Sequence, residues 1–317
     1  MADLATPMAI RVAATLNLVE RTGSAGATVE RLAAGTGTDA GALRLLLDHL
    51  VAVGVFDLDA DHYRPTDLGE QLREDAPGGI KPLLDINRAG GRSELAFVEL
   101  LETITTGESA YLRRYGREFW ADLDATPRLR RSFDAQMSWR FRVQAPQIAR
   151  RFDWSRFPEI LDVGGGDGTL LAEILTAHPG VRGRVLDLAP SAATQRFAAA
   201  RFGDRAGAVG QSFFEPLPVG ADAYVLSDIL HDWDDEHALA ILAGCRQAAG
   251  SSGTVVVIEP LREGTSTAIN LHMLMCFGGR ERTVDELAGL AADCGLVLLG
   301  SGPVSDGRTA LEFGVRG

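Results

Sequence analysis

The sequence predicts an α/β protein. It reads as a C-terminal Rossmann-like domain, a mainly parallel sheet with an antiparallel last strand, preceded by a mainly α-helical, winged-helix-like domain. Three observations lead there. Apolar strand-like runs alternate with helix-like segments from Ile160 onward; the first run ends in the glycine loop Gly164-Gly165-Gly166-Asp167-Gly168; and the N-terminal stretch reads as short helices followed by a two-stranded ribbon. A chain of 317 residues holds two ordinary domains, and we place them at 1–91 and 92–317, with the boundary near Gly91.

Taken in order, helices are expected over residues 10–19, 28–34 and 40–53, the last stopped by Gly54. Residues 55–66 turn around an acidic tip as a ribbon, and a helix over 67–73 follows. Helix–helix–helix–ribbon is a winged-helix pattern, which often reads DNA. Here the third helix carries Asp39, Arg44, Asp48 and His49 among leucines and alanines, a composition suited to packing. Residues 75–79, with Pro77-Gly78-Gly79, form a loop, and long helical stretches are expected over 86–106 and 120–152. Strands over 160–163, 184–188, 221–226 and 254–258 alternate with helices, the signature of a parallel sheet covered on both faces. Strands over 296–299 and 310–315 flank a loop over 300–308 and close the sheet as an antiparallel edge pair.

Composition narrows the class. With 43 acidic against 31 basic residues the formal net charge is −12, which argues against wrapping a phosphate backbone and favours a small neutral or cationic partner. Cys245, Cys276 and Cys294 are scattered, so neither a disulfide framework nor a zinc site is suggested, and no metal is expected. With no signal-like segment and no long apolar run, the reading is a cytoplasmic enzyme with no membrane and no nucleic-acid partner.

The chemistry concentrates in two places. Gly164, Gly166 and Gly168 let the backbone turn tightly and approach a ligand, and the helix after them offers N–H groups to an anionic group. Nineteen residues beyond Gly168 a second apolar run ends in Asp187, suited to accept two hydrogen bonds from a ribose diol. Loop, second strand and acidic tip in this order point to S-adenosylmethionine (SAM) rather than NAD. The second place is Ser227-Asp228-Ile229-Leu230-His231-Asp232-Trp233, directly after another strand. Ligands of open α/β sheets bind beyond the carboxyl ends of the strands, so His231 is expected in the same crevice, with Glu259 at a strand end and Glu281 in Gly278-Gly279-Arg280-Glu281-Arg282-Thr283 as carboxylate partners. Plainer readings stand beside these: Asp234 and Asp235 as helix N-terminal charges, Glu259 before Pro260 as a strand terminator, Arg280 to Arg282 as a solvated turn, Met273 and Met275 as core.

Taken jointly, Asp162-Val163-Gly164-Gly165-Gly166, Leu186-Asp187-Leu188, Ser212-Phe213-Phe214-Glu215-Pro216-Leu217-Pro218, Leu230-His231-Asp232-Trp233 and the Gly278 to Thr283 segment give a specific resemblance. Over essentially its whole length the chain resembles the small-molecule O-methyltransferases typified by plant caffeate and bacterial aromatic polyketide enzymes, most of all those acting on naphthoate, anthraquinone and anthracycline phenols. The resemblance implies a homodimer joined through the winged-helix-like domain, SAM as cofactor with S-adenosylhomocysteine as product, and a small aromatic phenolic substrate. Carried over, it implies Gly164 at the methionine part of SAM, Asp187 at its ribose, Ser212 and Phe213 beside adenine, Ser227 on the cofactor side, Arg130 reaching the cofactor carboxylate, and Gly166 and Leu188 as further cofactor-binding residues. His231 is implied as general base with Glu259 and Glu281 beside it, and Phe133, Met137, Asp232 and Met273 as acceptor-binding. Two positions depart from the family pattern: Ser212 stands where many relatives have an aspartate for adenine, and Asn270 where an aspartate is common. A phenol of pKa about 10 facing a histidine of about 6.5 leaves a gap of roughly 3.5 units, which the glutamates or a more acidic phenol must close. The competing readings are an atypical member catalysing hydroxylation or decarboxylation, and a winged-helix transcriptional regulator.

Overall fold

The computed structural model describes residues 3–188, 201–264 and 266–315. The chain divides into two compact units, one of Met1–Val98 with Phe119–Gln136 and the other of Glu99–Glu118 with Met137–Gly317. None of the described helices is long and apolar enough to cross a membrane.

The first unit begins with a broken helix. Where the periodicity predicts one helix over 10–19, Ala5–Thr15 and Leu18–Thr22 are separate, because Asn17 turns left-handed at φ 54°. Asn tolerates that conformation better than most residues. Helix Val29–Thr36 is capped by the Thr28 hydroxyl and helix Ala40–Ala52 by the Asp39 carboxylate. β1 (Phe56–Asp59) and β2 (His62–Pro65) form the antiparallel ribbon. Leu18, Leu32, Leu43, Leu47, Leu50, Phe56 and Tyr63 make the core. The polar residues of helix Ala40–Ala52 have partners within the unit: Arg44 pairs with Glu30, Asp48 accepts from the Tyr63 hydroxyl at 2.7 Å, and His49 meets the Thr6 hydroxyl at 3.0 Å. Lys81, the only lysine of the sequence, is 1% exposed and donates to Asn17 Oδ1 and Glu20 Oε1, each at 2.6 Å.

The expected long helix over 86–106 is three pieces: Ala89–Glu94, a 3-10 turn at Leu95–Glu99, and Leu100–Thr106. Gly90 and Gly91 in the first piece sit where a Cβ would strike backbone oxygens, of Pro82 at 2.9 Å and of Asp85 at 2.2 Å.

In the second unit, seven strands form one sheet: β3 (Glu159–Val163), β4 (Arg182–Asp187), β5 (Ala206–Gly210), β6 (Ala223–Ser227), β7 (Thr254–Glu259), β8 (Leu296–Ser305) and β9 (Arg308–Val315), in the order β5-β4-β3-β6-β7-β9-β8. The first five are parallel, and β9 runs antiparallel between β7 and β8. Alternate residues serve opposite faces: Leu161, Tyr224, Val255 and Leu311 pack with helices Asp235–Ala249 and Val284–Asp293, while Ile160, Val225, Val256 and Ala310 pack with helix Thr169–Ala177 and the end of helix Pro127–Arg151. Two expectations need correction. The loop over 300–308 is strand as far as Ser305, with only Asp306-Gly307 as the turn, a hairpin dipeptide visible in the sequence. β5 is a strand absent from the expected set, since Ala-Gly-Ala-Val-Gly has almost none of the β-branched signal.

Candidate active site

Strand order reverses between β3 and β6, so a crevice opens beyond their carboxyl ends, where such folds take their ligands. Both borders of that crevice carry the glycine-loop and histidine-turn residues. After β3, Gly164, Gly166 and Gly168 all have positive φ (74°, 56° and 80°), a conformation other residues rarely adopt. Gly164 also has no room for a side chain: a Cβ there would lie 2.5 Å from Ile229 Cδ1, on the loop after β6. The two loops are therefore in direct contact. Asp187, closing β4, accepts from the Gly166 N–H at 3.0 Å and the Leu188 N–H at 2.8 Å, so the acidic tip faces the glycine loop. Ser138 on helix Pro127–Arg151 donates to Asp167 at 2.5 Å, holding the loop from the helix side.

Three features of the crevice suit SAM. The glycine loop turns through three residues of positive φ, and Asp187 at the end of β4 is placed for a diol. In addition, the Ser227 hydroxyl and Asp162 Oδ2 are buried without a hydrogen-bond partner among the described residues; buried polar atoms in folded proteins ordinarily have one. Burial, with Asp187 and Asp167 nearby, pushes the Asp162 carboxyl up to about 7. Phe213 borders the loop and stands edge-on to Trp233 at 5.9 Å. The Ser212 hydroxyl accepts from Phe214 N in its own turn at 3.2 Å.

His231 lies on the 3-10 turn Leu230–Asp232 and is 8% exposed. Its Nδ1 is 2.9 Å from Glu259 Oε2 and its Nε2 is 3.4 Å from Asp232 Oδ1. The Nδ1 and Oε2 atoms are close without a well-aligned hydrogen bond, so charge holds this contact. Glu259 is far more than a strand terminator: its Oε1 accepts from the Ile229 and Leu230 N–H groups at 3.0 and 2.7 Å, fixing the carboxylate against the turn that carries the histidine. Burial by itself lowers the His231 pKa, but Glu259, Asp232 and Asp228 overcome it and bring it up to about 10. Asp232 is pushed up to about 7, mainly by burial, with Glu259 and Asp228 adding to it against the imidazolium.

The loop Gly278 to Thr283 closes the other side of the turn. A Cβ on Gly279 would lie 2.2 Å from the His231 carbonyl oxygen, so only glycine lets the two backbones meet. Arg282 is 2% exposed and no part of a solvated turn: it donates to the Leu230 and Trp233 carbonyls at 2.7 and 2.8 Å and to Asp235 at 2.7 Å, clamping the His231 turn at both ends. Glu281 is buried, and its N–H donates to Asn270 Oδ1 at 2.9 Å, so the residue that departs from the family pattern anchors the glutamate. Met273 is buried on helix Thr267–Phe277. Asp234 caps helix Asp235–Ala249 by accepting from His237 N.

Arg130 and Phe133 belong to the first unit, where Arg130 is ion-paired with Asp124 and Phe133 stands edge-on to Phe119 and Trp120 at 5.6 and 5.3 Å. Met137, half-buried, opens the part of its helix that belongs to the second unit. Sequence reasoning missed Arg282, Asp228 and Arg308. Asp228 and Arg282 stand in segments the sequence singles out, but with no role of their own; for Arg308 the available signal is the Asp306-Gly307 turn, which sets it at the start of a strand.

The chain matches the model of the O-methyltransferase domain family over residues 97–297. It is 48% identical to the 2,7-dihydroxy-5-methyl-1-naphthoate 7-O-methyltransferase of Streptomyces carzinostaticus, over 96% of this chain and 93% of that protein. It is 42% identical to the aclacinomycin 10-hydroxylase of Streptomyces purpurascens, over 99% of this chain and 86% of that one. Among solved structures, the O-methyltransferase from neocarzinostatin biosynthesis in complex with SAM and 2-hydroxy-5-methyl naphthoic acid superposes with a TM-score of 0.94 at 47% identity, covering 99% of this chain and 97% of that one. The glycine loop facing Asp187, the buried histidine and these matches lead to one conclusion: the chain belongs to the O-methyltransferase family and is a SAM-dependent O-methyltransferase.

Proposed function

We propose that the protein methylates a phenolic hydroxyl of a polyketide-type aromatic acceptor, of the naphthoate, anthraquinone or anthracycline kind, with His231 as general base. The observation that carries this is the buried His231–Glu259 pair at 2.9 Å, set on the turn whose Ile229 touches the glycine loop. Its support from outside the chain is the 2-hydroxy-5-methyl naphthoic acid held in complex by the 47% identical neocarzinostatin enzyme. Gly164, Gly166, Asp187, Leu188, Ser212, Phe213 and Ser227 are the residues we assign to SAM, and Met273 and Asp232, with Phe133 and Met137, to the acceptor; Arg130 remains our assignment for the cofactor carboxylate.

When bound, SAM supplies an electrophilic methyl on a sulfonium. The chain's own contribution is to the proton. With Nδ1 held on Glu259, Nε2 is the atom that takes the phenolic proton. A histidine brought up to about 10 matches a phenol of pKa about 10, so the carboxylates close the gap of roughly 3.5 units left by an ordinary histidine. Near neutral pH the ring of the free enzyme carries its proton; a phenolate arriving beside imidazolium is the same protonation state as a phenol beside neutral imidazole. Glu259 holds the ring in place, and Arg282 and Gly279 hold the turn beneath it.

We also propose a homodimer formed through residues 1–91. Exposed Leu4, just before helix Ala5–Thr15, and Met8 on it support the reading, since exposed apolar side chains favour a covering partner; sedimentation showing a monomer at all concentrations would end that reading. The test of the reaction is methyl-labelled SAM with a panel of hydroxynaphthoates, hydroxyanthraquinones and simple catechols, beside His231→Ala. Label on one phenolic class, largely lost in the variant while SAM affinity holds, is expected. A hydroxylated product gaining no methyl would favour the activity named for the 42% identical hydroxylase instead.

A further inference from the structure

Three residues before His231, Asp228 forms a buried ion pair with Arg308 that takes no part in the proton transfer itself. Asp228, just past β6, has a left-handed backbone at φ 53° and donates its N–H to the Ile258 carbonyl at 2.9 Å. Its carboxylate receives Arg308 through Nε at 2.9 Å and Nη2 at 2.7 Å, and the two side chains are 9% and 7% exposed. Arg308 opens β9, one residue before Thr309, which lies opposite Glu259; its guanidinium thus passes the end of β7 to reach β6. A buried ion pair is a weak source of stability, and an apolar pair of similar volume serves stability as well or better. A left-handed non-glycine residue at a ligand edge, held by such a pair, points to a role in the site.

We propose that the Asp228–Arg308 pair positions and charge-balances His231, with Arg308 offsetting the carboxylates that crowd the imidazole. The groups facing this centre come from every side: Glu259 on β7, Asp232 on the same turn, Asp228 after β6, and Glu281 in the loop following helix Thr267–Phe277, set against Arg308 on β9 and Arg140 on helix Pro127–Arg151. Asp228 adds to the hold on the imidazolium, and Arg308 is drawn by Asp228, Glu259 and Glu281 together. Removing either member of the pair leaves a net charge of one sign beside the ring, so the two removals act in opposite directions. A scaffold role has no such sign.

The inference rests on His231 being the base, and its test does not depend on the acceptor. The C2 carbon of His231 is followed by NMR against pH in histidine-labelled protein, assigned by its absence in His231→Ala. Asp228→Asn is expected to lower the His231 pKa by about one unit and Arg308→Met to raise it by a similar amount, the usual size for one nearby charge. Arg308→Lys should stay near the parent value, and the double variant Asp228→Asn with Arg308→Met should return close to it. Both single variants moving the same way, or neither moving, overturns the proposal. If Arg308→Met does not fold, Asp228→Asn decides alone, and an unmoved titration there is equally fatal. Opposed titrations with no methyl transfer to any phenol would leave the charge balance standing and remove the reaction assignment instead.

Discussion

Glu259→Gln changes one atom's chemistry and almost nothing of its shape. The new side-chain oxygen can keep the two hydrogen bonds now accepted by Oε1 from Ile229 and Leu230, so the turn should survive. What is lost is the negative charge 2.9 Å from His231 Nδ1. An amide NH₂ facing Nδ1 also requires that nitrogen to accept, which places the ring proton on Nε2, the atom needed to take the phenolic proton. The magnitude follows from the environment. The rise of His231 from 6.5 to about 10 is led by Glu259, and at 1.36 kcal/mol per unit the whole rise is worth about 5 kcal/mol. Since Asp232 and Asp228 contribute part of it, and a base of this kind accelerates by about 10²- to 10⁴-fold, kcat should fall by roughly 10²- to 10³-fold. Initial rates of S-adenosylhomocysteine release between pH 6 and 10, with SAM affinity by calorimetry, read both sides of the expectation. Affinity for SAM should change by less than about threefold, because Glu259 touches the histidine turn. A variant retaining more than about a third of parental kcat, or losing SAM affinity in step with rate, would refute the assignment of Glu259 as the residue that makes His231 basic.

Asp162 is 2% exposed, with its pKa raised from 3.8 to about 7. A carboxyl raised in the folded state costs stability progressively from pH 4 to 7 and fully above, so Asp162→Asn should stabilise by about 1–3 kcal/mol at pH 8 and hardly at all near pH 4, read as unfolding midpoints; an equal effect at both ends would show that the burial cost is not electrostatic. Lys81→Met removes a buried ammonium from Asn17 and Glu20 and should cost the first unit about 1–3 kcal/mol in urea at pH 7. Because Glu20 is held below its usual range by Lys81, that cost is present above about pH 4.5 and should shrink as the pH falls below it; a loss independent of pH would assign it to packing alone.

Much of the molecule follows from the sequence because its signals are local. Short continuous apolar runs, as expected of parallel strands buried on both faces, fix β3, β6 and β7, glycines at forced positive φ fix the loop after β3, and Thr28 and Asp39 start their helices as side-chain caps must. Strand-end position alone brings His231 and Glu259 into one crevice, since a parallel sheet puts every β–α loop on the same edge. What local signals cannot carry is whatever depends on a partner distant in the chain. Asn17 breaks a periodic helix, and its side chain is fixed by Lys81, remote in sequence. β5 pairs with β4 through backbone groups that every sequence possesses, so its small residues leave no pattern. Arg282 reads as a solvated turn until Gly279 brings its loop onto the His231 backbone, and Arg308 has no meaning before β9 is placed beside β7. The sequence alone determined the central parallel strands, the glycine loop and which histidine stands at the ligand edge. Tertiary structure decided the charge around that histidine, because burial and the distances between carboxylates and guanidinium groups exist only once the strands are side by side.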